Sequence, residues 1–491
     1  MKPNFLFIQT DQMTAFALNQ YGNPVVQSPN IDKLASRGVV FQNAYCNNPI
    51  CASSRFSMMS GQLSSRVGAY DNAAEFPAQV PTFAHYLVDL GYHTCLSGKM
   101  HFVGPDQLHG FQERVTTDIY PSDFGWTPDW LAEGHQLPPS GMSMRSVVEA
   151  GISERSLQID YDEEACHQAE VKLWDYARNH SGEPFFLAVS FTHPHNPFTT
   201  QSKYWNLYNH SEINMPEVTG KPVEERDPWS QRYYYLIRND EHKVTSEDIL
   251  NARHAYYGMV SYMDHMVGRL QRVLEESGLD ENTVVIFTAD HGEMLGERGM
   301  WYKFNPFEWS VRVPLIISTP GGIKNHNEDR GVSLLDLLPT FLDLATDGNK
   351  PELIDPIDGN SLMGLVHNDD MGWDDDVMCD RWQEFEFVAP ATVIQWTGAL
   401  EVGRGARESR EDKAGGFNLR LYHGATPETE DSVHYFWSPA NGYKPDDTEA
   451  TNILHEQIAV TFKEDLEFLE AQHAALVANS NGLVNIKHDS A

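Results

Sequence analysis

Long apolar runs are missing from this 491-residue chain. None approaches the ~20 residues that a membrane-spanning helix needs, so no membrane span is expected. The opening "MKPNFLFIQTDQM" lacks an apolar h-region with a small-residue cleavage site, so it does not read as a signal peptide. Cysteines are few: five, at 46, 51, 95, 166 and 379, without framework spacing. That usage suits a reducing compartment better than a disulfide scaffold, and the cytoplasm is the expected location. Basic residues are scarce too. Lys and Arg number 35 against 70 Asp and Glu, for a formal charge of −35. Such a surface repels nucleic acid and anionic membranes, so neither is an expected partner. An anionic substrate would have to be met by cations gathered locally against this field.

What is present points to a large packed core. An apolar fraction of 41% with 11 tryptophans indicates a globular chain, long enough for more than one domain. The stretches "NFLFIQ", "PFFLAVSF", "TVVIFTA" and "VPLIIS" read as buried strands, apolar throughout as in a parallel sheet covered on both faces. Helical patterns at 249–276 and 332–345 alternate with them, which predicts an α/β fold. Ligands of such sheets bind beyond the carboxyl ends of the strands. Those ends carry Thr10-Asp11-Gln12, His193-Pro194-His195 and Asp290-His291. Asp11, Gln12, Asp290 and His291 make an oxygen-rich set with one imidazole, suited to a hard divalent cation such as Ca²⁺, Mg²⁺ or Mn²⁺.

The segment "NNPICASSRFSMMSGQLSSRVG" places Cys51 in a small-residue turn four residues ahead of Arg55, where a core cysteine would not be expected. "CASSR" resembles the sulfatase signature Cys-x-Pro-Ser-Arg, in which the cysteine is oxidised after translation to formylglycine. "GQLSSRVG" resembles the second half-signature, "SGKMH" the Gly-Lys-x-His motif, and "ADHGEMLGERGMWYK" the late metal-plus-lysine segment of that family. "SGQLSSRVGAYDNAAEF" and "GKMHFVGPDQLHGF" are similar to choline sulfatases in particular. The resemblance spans about residues 1–375. It implies an alkaline-phosphatase-like three-layer sandwich with a mostly parallel central sheet, followed by a smaller α+β C-terminal segment.

The resemblance also implies a reaction. A thiol attacks the anionic sulfur of a sulfate monoester poorly, whereas a hydrated formylglycine offers one hydroxyl to attack and a second whose deprotonation later expels sulfate. On that pattern Cys51 is the modified residue, nucleophile precursor and metal ligand, with Asp11, Gln12, Asp290 and His291 completing a site for one divalent cation. Gln12 in place of a second aspartate resembles the choline sulfatase and phosphonate monoester hydrolase branch. Arg55 neutralises the nucleophile, while Lys99 and Lys303 clamp sulfate oxygens. His101 acts as base toward the second hydroxyl, and His195 protonates the leaving alcohol. Asn72 is a candidate contact to a sulfate oxygen. The third signature position, usually Pro or Ala, is Ser53, and a formylglycine-generating maturation enzyme would have to accept it.

A quaternary ammonium is bound by aromatic faces. "DFGWTPDW" supplies Trp126 and Trp130 where choline sulfatases carry an aromatic contact, with packing anchors as the other reading of the pair, and the resemblance makes choline sulfate the expected substrate. A phosphonate monoester or phosphodiester hydrolase of the same superfamily is the alternative enzyme, and an inactive chimera the alternative to any enzyme. From about residue 380 the chain resembles instead the C-terminal part of a Rieske non-haem iron oxygenase catalytic domain, of the vanillate-demethylase type. "DRWQEFEFVAPATVIQWTGALEVG" and "LRLYHGATPETEDSVHYFWSPAN" carry that likeness, with strands on either side of "TPETED" and a closing helix around 458–469. The family's iron-ligating aspartate corresponds to Asp465. Its two histidine partners have no counterpart, and no Cys-x-His paired with Cys-x-x-His exists for a Rieske cluster, so no iron is expected there. The expected organisation is a sulfatase domain, 1–375, joined to an oxygenase-like fragment, 380–491. Because that fragment stands where choline sulfatases have the segment that closes the pocket and builds the oligomer, a homo-oligomer is an open expectation.

Overall fold

In the computed structural model, residues 2–120, 142–349, 351–367 and 373 are described in full. Residues 380–388, 392–400, 417–427 and 433–441 are described by their backbone. Trp126, Trp130, Asp465 and the expected closing helix lie outside the described residues. The chain divides into two compact units, Met1–Asp375 and Asp376–Ala491.

The first unit is built on a nine-stranded sheet. Its elements run β1 (Asn4–Thr10), α1 (Pro29–Ser36), β2 (Val39–Tyr45), α2 (Cys51–Ser60), α3 (Phe83–Asp89), β3 (His93–Gly98) and β4 (Glu113–Arg114). Then follow α4 (Leu157–Asn179), β5 (Phe185–Ser190), α5 (Ser246–Ser277), β6 (Thr283–Ala289), β7 (Arg312–Val313), β8 (Leu315–Ser318), β9 (His326–Ser333) and α6 (Leu337–Thr346). The spatial order is β9-β2-β8-β6-β1-β5-β3-β4, with β7 paired to β2. β1 runs parallel to β5 and β6 in registers such as Gln9↔Ser190 and Thr10↔Ala289. β8 differs from expectation: "VPLIIS" does form a strand, but it lies antiparallel to both β2 and β6.

Every residue of β1, β5 and β6 is buried, which is why their sequences are apolar without alternation. Phe5 and Phe7 of β1 meet Phe83 of α3, Phe186 of β5 and Phe341 of α6 in tilted and edge-on contacts. α4 lies on β3 and β5 and packs against α5. The sheet is thus sandwiched between helices. α5 opens with a capping box between Thr245 and Asp248 and stops at Gly278, whose left-handed φ of 71° ends it cheaply. The helix predicted over 332–345 begins later, at Leu337, because Val332 and Ser333 belong to β9 and 334–336 form a 3₁₀ turn.

β5, β1 and β6 are adjacent and parallel, so their carboxyl ends deliver Thr192–His195, Asp11–Gln12 and Asp290–His291 to one place. The second unit contains a four-stranded antiparallel meander of Asp380–Val388, Thr392–Leu400, Phe417–Pro427 and Val433–Asn441. The last two strands pair around 428–432, from Pro427↔Val433 onward.

Candidate active site

Cys51 is the first residue of α2, and all ten residues of that helix are buried. The Ala52 amide donates to Asn72 Oδ1 at 3.1 Å, which anchors the buried first turn where amides lack helical partners. Cys51 Sγ then lies 3.2 Å from His291 Nε2 and 3.9 Å from Asp11 Oδ1. Asp11, Cys51, Asp290 and His291 each offer a ligand atom, and these atoms lie within 4.8 Å of one another in full burial.

Local hydrogen bonds prepare this set for a cation. His291 Nδ1 donates to the Gly292 carbonyl at 3.0 Å, which fixes the ring with Nε2 turned toward Cys51. Asp290 Oδ1 accepts from the Gln12 and His291 amides at 3.0 and 2.9 Å, and its Oδ2 from Arg55 Nε at 2.9 Å. Asp11 Oδ2 accepts from Arg55 at 3.2 Å and from Lys99. Asp11 Oδ1 remains on the side of Cys51 and His291. Two carboxylates, an imidazole and a thiol gathered at this spacing fit one divalent metal ion.

Three buried cations surround the donors. Arg55 also donates to Gln9 Oε1, the Lys99 carbonyl and Ser190 Oγ at 3.1, 2.7 and 2.8 Å, so its guanidinium is locked in plane. Lys99 follows Gly98, whose φ is +104° and where an added Cβ would come 1.9 Å from the Ser190 carbonyl oxygen. Only glycine permits that approach, and the Lys99 amide then donates to the same carbonyl at 2.9 Å. Lys303 donates to Gln12 Oε1 at 2.5 Å and to His195 Nε2 at 2.7 Å. His195 Nδ1 donates to the Asn196 carbonyl at 2.8 Å, which fixes the tautomer.

The electrostatics follow from this crowding. Burial and the Asp11 carboxylate push the Cys51 thiol up, but Lys303, Lys99 and His291 outweigh them and hold it well below its usual range. Burial opposes the Asp11 charge as well, and Lys99, His195, Arg55 and Lys303 overcome it, so Asp11 is ionised. Burial and then Lys99 push His101 down to about 4, leaving it a neutral acceptor. Burial and Lys303 likewise lower His195.

Of the predicted residues, Cys51, Asp11, Asp290 and His291 converge as described, with Arg55, Lys99, Lys303, Gln12, His101 and His195 around them. Gln12 turns its amide oxygen to Lys303 and its nitrogen to Glu293 and Asn196. Asn72 Oδ1 is engaged by α2, and its backbone carbonyl accepts from His101 Nε2 at 3.0 Å. Gln12, His101 and Tyr302 hold left-handed φ values of 64°, 64° and 66°, strain that their surroundings must enforce.

Three buried acids escape the sequence reading. Asp118 accepts from the Met100 and His101 amides at 3.1 and 2.8 Å and from Arg114 at 3.0 Å. Asp162 grips Thr192 and His193. Glu293 accepts from Gln12 Nε2 and from the Leu295 and Tyr302 amides. Glu293 alone carried a signal, sitting within "ADHGE" at a strand end.

Residues 3–347 match the sulfatase family model. The chain belongs to the sulfatase family. It is accordingly a sulfuric ester hydrolase. It is 45% identical over 370 residues to the choline-sulfatase of Rhizobium meliloti (strain 1021), covering 74% of this chain and 72% of that protein. The arylsulfatase of Clostridium perfringens (strain 13 / Type A) is 29% identical over 401 residues, 76% of this chain and 80% of the relative. Among solved structures, this sulfatase shares its fold with the phosphonate monoester hydrolase of Agrobacterium radiobacter: TM-score 0.61, 22% identity, 96% of each chain. BT4656 in complex with its substrate D-glucosamine-2-N,6-O-disulfate matches at TM-score 0.59 and 20% identity, covering 97% of this chain and 99% of that one. Residues 365–491 match the model of the vanillate O-demethylase oxygenase C-terminal domain.

Proposed function

We propose that this sulfatase hydrolyses choline sulfate to choline and inorganic sulfate, with residue 51 acting as formylglycine. The observation that carries the reading is the convergence of four buried metal donors with Arg55, Lys99 and Lys303, since a sulfate ester needs both an activated nucleophile and fixed positive charge. Choline as the alcohol is supported by the 45% identity to a choline-sulfatase. Asp11, residue 51, Asp290 and His291 would hold a calcium, manganese or magnesium ion, with Gln12 as a further oxygen donor. When bound, such an ion acidifies the attacking hydroxyl and withdraws charge from a sulfate oxygen.

The chain's own residues supply the rest. Arg55 holds both carboxylates in place and offsets their charge. Lys99 and Lys303 flank residue 51 and would donate to the oxygens of the substrate's sulfuryl group. His101, neutral and anchored through Nε2, is fit to take a proton. His195 shares Nε2 with the Lys303 ammonium, so a proton held between them can pass to the departing alcohol. Asn72 fixes the start of α2 and borders the sulfate region, and Trp126 and Trp130 are the proposed aromatic contacts to the trimethylammonium group. The domain proposal is that catalysis resides in 1–375, with 380–491 an appended oxygenase-like fragment. A maturation enzyme, a cytoplasmic location and self-association belong to the same reading.

The test is sulfate release from choline sulfate set against cleavage of a phenylphosphonate monoester, each with calcium or manganese added. Preference for choline sulfate is expected, together with a loss of at least about 10⁴-fold in Cys51→Ala, the scale of removing a catalytic nucleophile. A Cys51→Ala variant with undiminished turnover would remove residue 51 from the chemistry. Preference for the phosphonate would move the enzyme to the other branch of its superfamily.

A further inference from the structure

We propose that Asp162, on α4 and outside the reacting set, is the positioning residue that aims His195 at the leaving group. This rests on the reading of His195 as the proton donor. Asp162 is fully buried and carries four donors on one carboxylate. Oδ1 accepts from the Thr192 amide at 2.7 Å and from the Thr192 hydroxyl at 3.0 Å. Oδ2 accepts from the His193 amide at 3.0 Å and from His193 Nδ1 at 2.6 Å. All four come from the two residues on which the turn bearing His195 hangs. That turn is closed by the His195 amide donating to the Thr192 carbonyl at 3.1 Å.

The geometry gives His193 its part. Its ring is fixed by Asp162 on one side and stands edge-on to Tyr262 of α5, centroids 5.0 Å apart. Its carbonyl accepts from the Asp11 amide at 3.3 Å, so the same peptide borders the donor cluster. A shift of Thr192 and His193 would therefore swing His195 Nε2 away from Lys303 and from residue 51. A displacement of about 1 Å is enough to cost on the order of 10²-fold in a positioned proton transfer. The carboxylate matters because only an acceptor on both oxygens can hold two amides, a hydroxyl and an imidazole N–H together.

Leaving-group dependence separates aiming from mere support. Choline departs as an alkoxide and needs a proton, whereas 4-nitrophenolate leaves without one. His195→Ala should lose about 10²–10⁴-fold in kcat on choline sulfate and far less on 4-nitrophenyl sulfate. Asp162→Asn, which presents an NH₂ to the His193 donors, should show the same selectivity at roughly ten- to a hundredfold. His193→Asn, able to donate from Nδ2, should retain the wild-type ratio of the two substrates, and His193→Leu should not. Hydrogen exchange in Asp162→Asn should accelerate at least tenfold over 191–199 while β6 stays protected. Equal losses on both substrates in Asp162→Asn, or unchanged exchange over 191–199, would overturn the assignment. If Asp162→Asn does not fold, the His193→Asn and His193→Leu pair carries the same comparison. Should His195→Ala itself show no selectivity, the reading of His195 fails; selectivity in His195→Ala without any in Asp162→Asn overturns the role of Asp162 alone.

Discussion

Arg55 is the side chain that lets two buried carboxylates share one small volume. Asp11 and Asp290 would repel in a low dielectric, and a guanidinium touching both offsets that cost while leaving Asp11 Oδ1 for a metal ion. Ser53, two residues earlier, is the position at which the chain departs from the usual signature. Its amide lies in the first turn of α2, ahead of the first helical bond, which Ser54 makes to Ile50 at 2.8 Å. Its hydroxyl is buried without a hydrogen-bond partner. Proline at that place would forfeit no backbone bond and would remove an unsatisfied polar atom. Ser53→Pro should therefore change unfolding stability by no more than about 1 kcal/mol, measured by denaturant titration, and should raise the aldehyde fraction at residue 51. A lower aldehyde fraction in Ser53→Pro would show that maturation does not favour proline here. At this scale Asp11, Gln12, Asp290 and His291 were legible because polar residues stand out where apolar strands end, whereas Cys51, Arg55, Lys99 and Lys303 were picked out only by their likeness to sulfatase motifs. Asp118 and Asp162 were not legible. Asp118 is held by the Met100 and His101 amides besides Arg114, and Asp162 by amides and side chains of Thr192 and His193 far along the chain. Sequence shows neither backbone donors nor such distant pairings.

Among the elements, the junction of β3 with β5 places Lys99. Gly98 admits the Ser190 carbonyl at a distance no side chain tolerates, so Gly98→Ala must push the strands apart. The expected cost is about 3 kcal/mol or more, above the ~1 kcal/mol of an average substitution, read as a lower denaturation midpoint. A midpoint within error of the wild type would mean that β3 can slide without loss. The strands themselves were readable from composition, since burial on both faces demands continuous apolar sequence. Direction was not: the apolar run of β8 reads the same whether it lies parallel or antiparallel, and it is antiparallel because the connection from β6 stays at the carboxyl end of that strand, where the Gly292 amide donates to the Ser310 carbonyl, and enters β8 from there. The onset of α6 was missed because the apolar period runs unbroken from β9 through the 3₁₀ turn.

For the molecule as a whole, the charge of −35 makes the buried cation cluster an exception to its own surface. All four candidate metal donors lie in the unit Met1–Asp375, and the donor set of an oxygenase iron site is incomplete in the sequence that follows. Elemental analysis should accordingly find one divalent ion per chain. Asp290→Asn should bring it well below one, and iron should be absent from both proteins. Bound iron that survives Asp290→Asn would require a second metal site. The two-part character of the chain was visible as a change of motif, but the course of the join is not something that composition displays.

The measurement closest to the central claim is mass spectrometry of the tryptic peptide Gly38–Arg55 from active enzyme, after thiol alkylation. That peptide holds Cys46 and Cys51 and no internal Lys or Arg. The account predicts one alkylated cysteine, Cys46, and an aldehyde at residue 51 that reacts with a hydrazide. Two alkylated cysteines in a preparation that turns over sulfate esters at full rate would contradict it.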